Sequence, residues 1–346
     1  MERILYLRDD FCAVAEDGRL VEYIPAGSDG ETGRILEGRV DRIMSGLDAA
    51  FVRIGRPRDG FLPLKENSRT FTGGKLRSGD RVLVQIRKEE TGVKGAYLSR
   101  DLSIPGSFLI LMPMNRHIGV SARIQDPEIR ERLTSLGREL SKGEFGLVLR
   151  EAAVSAPEEA LTEELRILRE RWSRIQAGDF SEESAAEELI RDYAPRGIDR
   201  TERESPLPAD LVRQLKEAEN RRIVLPHGGN IVIDRCEALT VIDVNSASDA
   251  GEGSRRDTVL RANMEACREI MIQTRLRNLS GILILDLIDM DQPEDQDRVR
   301  QYLEEVFRAD RMKTVIHGYT SLGLMEMTRK RGRSSWTANG GEKPGG

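Results

Sequence analysis

Three polar side chains interrupt runs that otherwise read as buried strands. Asp243 and Asn245 stand in ALTVIDVNSA (238–247), among Leu239, Val241, Ile242 and Val244; Asp286 stands in GILILDLIDM (281–290). A carboxylate buried without a partner is costly, so each of these needs a cation, an ion pair or solvent. Side chains i and i+2 of a strand share a face, so Asp243 and Asn245 point one way while Ile242 and Val244 point into a core. The run around Asp286 reads as a strand covered on both faces. Between the two runs lie one loop and one helix, the size of a βαβ crossover that sets two strands side by side in one sheet. Two carboxylates at adjacent strand ends form an all-oxygen site suited to Mg²⁺, which takes one or two carboxylates and keeps several waters. Asn245 adds no charge but can orient a carboxylate or a bound water. Such a site can deliver a metal-activated water to a phosphodiester. The structural alternative is that Asp243 caps a turn and Asp286 pairs with an arginine, Arg275 or Arg277. Asp234, Asp289 and Asp291 are rival carboxylates; Asp289 faces away from Asp286 if the strand continues.

The elements that must position these residues belong to a charge-rich chain of 346 residues, 38% hydrophobic and 33% charged, with net charge −5. That length supports one large core or two to three smaller ones. No apolar run approaches the ~18–20 residues that span a bilayer, and the start MERILYLRDD is too polar for a signal peptide. Cys12, Cys236 and Cys267 are odd in number, far apart and without CxxC spacing. Neither a disulfide framework nor a cysteine zinc site is expected, and the implied setting is a reducing cytoplasm. Residues 34–101 carry 15 Lys/Arg against 9 Asp/Glu, so a basic module accompanies an acidic body. The pattern suits a polyanion-binding domain beside a carboxylate-bearing one.

Residues 1–33 read as two or three short strands. Five short β runs follow in 34–104 (EGRVDRIM, DAAFVRIG, GFLPL, RVLVQIRKE, GAYLS), which suggests a small closed OB-type barrel. Residues 105–155 are mixed, with a helix DPEIRERLTSLGRELSKG and a strand FGLVLREAA. Residues 158–194 read as amphipathic helix, with Leu161, Leu165, Ile167, Leu168 and Trp172 on the apolar face. PRGIDRTERESPLPAD is a polar link. From about 222 come a hairpin, the Asp243 strand, a Gly/Asp-rich loop, a helix (258–278), the Asp286 strand and a helix (294–308), an α/β layer. The end, TRKRGRSSWTANGGEKPGG, is expected to be a flexible tail.

In DAAFVRIG, Ala50, Val52 and Ile54 make the better core face. Phe51 is then exposed beside Arg53, which suits base stacking next to a phosphate contact. Phe61 is a second platform, and Lys88 and Lys94 flank the turn EETGVKG within reach of phosphates. The alternative places both phenylalanines in the barrel core.

At these residues the chain strongly resembles the RNase E/G family of bacterial endoribonucleases. The matching segments run in family order: GLDAAFVRIGRPRDGFLPLKE, VLVQIRKEETGVKGAYLS, GSFLILMPMNRHIGVSARI, LPHGGNIVIDRCEALTVIDVNSA, NMEACREIMIQTRLRNLSGILILDLIDM and GLMEMTRKR. The resemblance implies an α/β multi-subdomain protein. Its parts are N-terminal strands of an RNase H-like region (1–33), an S1 (OB-fold) β-barrel (34–104), a 5′-sensor-like region (105–194), a shortened link (195–221), a DNase I-like catalytic subdomain (222–330) and a basic, Gly-rich tail (331–346). It implies Mg²⁺-dependent hydrolysis of single-stranded RNA in RNA processing and decay, leaving 5′-phosphate and 3′-hydroxyl ends. The family's catalytic Asp, Asn and Asp fall on Asp243, Asn245 and Asp286, with the two Asp as metal ligands. Its S1 contacts fall on Phe51, Phe61 and Lys94.

Three departures accompany the match. The family's 5′-monophosphate pocket has Arg then Thr, whereas Arg150 is followed here by Glu151; a carboxylate facing a phosphate repels it, so 5′-end sensing at Arg150 is not expected unless Glu151 turns away. The zinc-link motif CPxCxG is absent, so zinc and zinc-linked dimers are not expected, which leaves a homo-oligomer of another kind open. The stretch between Trp172 and RRIVLP is short, which implies a reduced RNase H-like region. Two other functions compete with an active endoribonuclease: an RNA-binding or scaffolding protein with lapsed nuclease activity, and a metal-dependent phosphodiesterase acting on DNA or a nucleotide.

Overall fold

The computed structural model describes residues 2–27, 30–65, 71–90, 93–246, 255–330 and 332. The chain divides into two compact units, Met1–Gly30 with Ile198–Gly341, and a second whose body is Glu31–Gly197.

The first three strands, β1 (Arg3–Leu7), β2 (Phe11–Glu16) and β3 (Arg19–Pro25), form an antiparallel meander belonging to the first unit. In the second unit, β4 (Ile35–Met44), β5 (Ala49–Arg53), β6 (Gly60–Pro63), β7 (Arg81–Lys88) and β8 (Tyr97–Ser99) close a barrel in the order β4-β5-β6-β8-β7. One long strand makes closure possible: the first half of β4 pairs with β7 and the second half with β5. Gly38 permits the bend, since a Cβ there would lie 2.5 Å from Val52 Cγ1. Val40, Ala50, Val52, Leu62, Val84, Ile86 and Leu98 fill the barrel.

The rest of the second unit begins with β9 (Ile104–Pro105), β10 (Leu109–Met112) and β11 (Ile118–Val120), then α1 (Pro127–Ser141), β12 (Gly146–Leu149), α2 (Glu158–Gln176) and α3 (Ala185–Tyr193). The strands make one sheet, β11-β12-β10-β9. Helix α1 starts on an Asp126 cap with Pro127 at its first position, and α3 starts on a Ser184/Glu187 capping box. Leu161, Leu165 and Leu168 of α2 enter the core, but Ile167 is 50% exposed. It breaks the i, i+4, i+7 spacing that the other three keep, so the expected apolar face loses this member.

The stretch expected to be a polar link contains β13 (Arg200–Arg203) and α4 (Ala209–Glu217). Strand β13 extends the N-terminal meander by pairing parallel with β1, and α4 packs Leu211 beneath that sheet with Tyr6, Phe11 and Leu20. The remaining elements of the first unit are β14 (Arg222–Val224), β15 (Asn230–Arg235), β16 (Leu239–Asn245), α5 (Arg255–Leu276), β17 (Gly281–Asp286), α6 (Pro293–Phe307), β18 (Thr314–Tyr319) and β19 (Met325–Arg329). The six strands form a sheet ordered β14-β15-β16-β17-β19-β18. The β18–β19 hairpin was not foreseen. Most of the expected tail and of the Gly/Asp-rich loop lies outside the described residues, but Arg329 is buried against Asp310 (Nε–Oδ2 2.6 Å) and belongs to the core.

Helix α5 contacts β3, β15 and β16, and its last eight residues, 269–276, are all buried. Its charges are therefore answered inside the protein. Arg275 donates to Glu16 (2.8 Å) and lies 3.6 Å from Glu22; Glu16 also accepts from Arg3 (2.9 Å), and Glu22 from Arg311 (2.7 Å). Burial raises the Glu16 carboxyl, but Arg275 and Arg3 outweigh it and hold it below its ordinary range; Arg329 does the same for Asp310. Carboxyls depressed in this way add stability above their unfolded pKa and lose it as pH falls through the folded one. Glu16→Gln is expected to cost about 3 kcal/mol at neutral pH, because it leaves Arg275 under-paired. In denaturant titrations the gap to wild type should narrow below about pH 4, where the native carboxyl also protonates; a gap independent of pH would contradict the network.

Candidate metal centre and nucleic-acid interface

Strand β16 alternates as expected: Ile242 and Val244 are buried, while Asp243 and Asn245 are partly open. Helix α5 carries the chain back so that β17 lies parallel to β16, in a register that pairs Asp243 directly with Asp286. Both residues stand at the C-terminal ends of their strands, the edge where parallel sheets place their ligand sites. Asn245 Nδ2 donates to Asp243 Oδ2 at 2.8 Å, which fixes that carboxylate; among the described residues its Oδ1 has no donor.

The arginine alternative fails here. Arg275 is engaged by Glu16 and Glu22, Arg277 donates to Gln273 and to the Asn220 carbonyl, and among the described residues Asp286 has no ion-pair partner. Asp234 is taken by Arg221 (2.6 Å). Strand β17 ends at Asp286, so the orientation expected for Asp289 from a continuing strand does not apply. Nor is β17 covered on both faces: Ile282 is 47% exposed and Asp286 lies on that open side. Asp286 is thus a surface carboxylate at a strand end, not a deeply buried charge.

No group of three or more His, Cys, Asp or Glu residues able to hold a metal occurs among the described residues. The candidate centre offers two carboxylates, all oxygen, a donor set that fits a hard divalent cation keeping most of its water; it lacks the cysteine and histidine ligands of structural zinc sites.

A residue that spacing did not reveal supports the site. Asn263 of α5 is fully buried, donates to the Ile288 carbonyl (2.8 Å) and accepts from the Ile288 N–H (2.9 Å). It pins the chain two residues beyond Asp286. Buried polar side chains in long helices carry no period, so only the structure identifies it.

On the barrel, Phe51 and Phe61 are register partners at 6.0 Å between ring centroids, both half-buried. Phe61 pairs in turn with Tyr97 (5.8 Å), which is 40% exposed. Arg42, the partner of Phe51, lies 4.7 Å over its ring, and Lys88, the partner of Tyr97, lies 6.0 Å from that ring. One cross-strand row thus runs over all five strands: cation, three aromatics, cation. Tyr97 and Arg42 were missed because a three-residue strand and a bulged one give little periodic signal. Lys94 is exposed, and Arg53 forms an ion pair with Asp41.

In the other half of this unit, Arg150 donates to the Gly106 carbonyl and to Asp192 (3.0 Å), and Glu151 turns towards Arg123 (3.7 Å). The Gly106 turn is itself built around a carboxylate: Glu164 accepts from the N–H groups of Phe108 and Leu109, both at 2.8 Å.

Comparison with known proteins matches residues 103–204 and 184–332 to the Ribonuclease E/G family model, and residues 30–101 to the S1 RNA binding domain. The chain is 33% identical to Ribonuclease E of Nostoc sp. strain PCC 7120, over 95% of this chain and 55% of that protein. It is 32% identical to Ribonuclease G of Escherichia coli strain K12, over 88% and 74%, and 32% identical to Ribonuclease E of Synechocystis sp., over 92% and 55%. It therefore spans about half the length of the Ribonuclease E relatives and about three-quarters of the Ribonuclease G one.

If Asn263 holds the strand end as described, Asn263→Ala should speed amide exchange at Ile288 by at least about tenfold, the loss of one buried hydrogen bond. Exchange at Leu283 in mid-strand should stay unchanged. Equal acceleration at both would mean general loosening instead.

Proposed function

The chain belongs to the ribonuclease E/G family, and on that footing we propose that it is an endoribonuclease acting on single-stranded RNA in RNA processing and decay. The observation that carries this reading is the register pairing of Asp243 with Asp286, with Asn245 bonded to the first. Asp243 and Asp286 would hold Mg²⁺. When bound, that ion supplies positive charge for the phosphate oxygens and an ionisable water. Asn245 keeps the Asp243 carboxylate in one rotamer, and Asn263 keeps the Asp286 end of β17 in place. Hydrolysis that releases the 3′ oxygen leaves 5′-phosphate and 3′-hydroxyl ends. The barrel row binds RNA: Phe51, Phe61 and Tyr97 offer ring faces to bases, with Arg42, Lys88 and Lys94 for phosphates.

The 5′ end of the RNA has a lesser role in this account. Arg150 is already held by the Gly106 carbonyl and by Asp192, while Glu151 is turned to Arg123. Cleavage of one RNA carrying 5′-monophosphate, 5′-triphosphate or 5′-hydroxyl is expected to differ by no more than about twofold, within the small effect of an exposed charge. A strong preference for the monophosphate would show that Arg150 is released for it.

Purified protein should cut an unstructured A/U-rich RNA with Mg²⁺ and stop with EDTA. Asp243→Asn and Asp286→Asn should each lower the rate by about 10²–10³-fold, and Asn245→Ala by about 10–100-fold, with RNA binding retained. Phe51→Ala and Tyr97→Ala should instead raise KM or Kd. Undiminished cleavage by Asp243→Asn would remove the site assignment. Salt-dependent RNA binding with no Mg²⁺-stimulated cleavage would select the lapsed-nuclease alternative.

A further inference from the structure

A groove of about 590 Å³ opens in the first unit between α5, α6 and the β14–β15 turn, and its lining does not include Asp243 or Asp286. Its floor is two adjacent i+4 rows of α5. One row is Leu260, Met264, Arg268 and Ile272; the other is Asp257, Arg261, Glu265 and Glu269. Tyr302 and Arg298 of α6 line one wall and Arg19 another.

The charges do not cancel evenly. Glu269 is consumed by Arg19 (2.7 and 3.0 Å) and by Gln273 (2.8 Å), and Glu265 by the His227 N–H (3.1 Å) and ring (3.0 Å). Among the described residues Arg298 has an ion pair only with Asp295, at 3.6 Å, and that carboxylate is already held by Arg256 at 2.6 Å. Arg261 and Arg268 have no ion-pair or hydrogen-bond partner among the described residues. Arg19 Nε is buried without an acceptor. The groove floor therefore holds two unused guanidinium groups, while Asp257, the remaining carboxylate of the lining, has an interaction of its own. Arg261 and Arg268 are two turns apart, about 10 Å along the helix. Leu260, Met264 and the ring of Tyr302 supply apolar and aromatic surface beside them.

The geometry points to a second binding site, for a phosphorylated nucleoside: phosphate on Arg261 and Arg268, base against Tyr302 and Met264. Arginine suits phosphate through its planar fork, and every nucleobase has a face that stacks on a ring. A free nucleotide and one nucleotide of an RNA strand share this chemistry. The site stands apart from the nuclease reading, because binding can be measured with no divalent ion present.

The test is calorimetric titration of the full chain in EDTA with adenosine 5′-monophosphate, adenosine and inorganic phosphate. A Phe51→Ala/Phe61→Ala background keeps the barrel from contributing. The nucleotide should bind at least about tenfold tighter than either half, and Arg261→Ala and Arg268→Ala should each weaken it by about tenfold, as loss of a charge-assisted hydrogen bond does. Both side chains are exposed, so the variants should melt as the parent does; Arg261→Lys should recover part of the loss. A trinucleotide that displaces the monophosphate and binds tenfold tighter identifies an RNA strand as occupant, and one that binds no tighter identifies a free nucleotide. No measurable binding of the monophosphate, or binding unchanged by Arg261→Ala and Arg268→Ala, overturns the proposal.

Discussion

Two carboxylates held opposite one another across a single parallel strand pair repel. Neighbouring strands lie about 4.8 Å apart, and at that distance two unit charges cost about 1–3 kcal/mol at a surface-like dielectric. A 22-residue crossover helix produces this arrangement, and Asn245 then fixes the orientation of one of the two carboxylates. A cation between Asp243 and Asp286, as proposed, would convert the repulsion into binding energy. The placement of both at strand ends, one half-buried and one open, leaves the cation room for water and a phosphate.

Helix α5 bears most of what this arrangement demands. Packed against several strands, it cannot show a clean amphipathic stripe, and several of its buried polar residues have a defined task. Asn263 pins the segment after Asp286, while Glu269, Gln273, Arg275 and Arg277 form hydrogen bonds inside the unit. Arg275 reaches Glu16 and Glu22 and so ties the N-terminal meander to the crossover that aligns the site. Residues at the start of the chain are thereby coupled to the placement of Asp286 through one buried guanidinium.

Much of this was legible in the sequence because it follows period two. The alternation around Asp243, the apolar run before Asp286 and the length between them imply a parallel pair, and five short alternating runs imply a closed barrel. What stayed hidden lacks such a period. Strand β13 (RTER) has no apolar residue, since it is a sheet edge with its side chains in solvent. Arg329 looked like part of a basic tail because its partner, Asp310, is 19 residues earlier. Tyr97 gains its role only from register with Phe61, and Ile167 lost its expected place because adjacency in sequence is not adjacency on a helix face.

The central claim is that Asp243 and Asp286 together bind one divalent cation. Electron paramagnetic resonance titration of the full chain with Mn²⁺, a spectroscopic stand-in for Mg²⁺, tests it without any substrate. The account predicts one site displaced by excess Mg²⁺, lost in Asp243→Asn and in Asp286→Asn and weakened about 10–100-fold in Asn245→Ala. A site of unchanged affinity in both aspartate variants would contradict it.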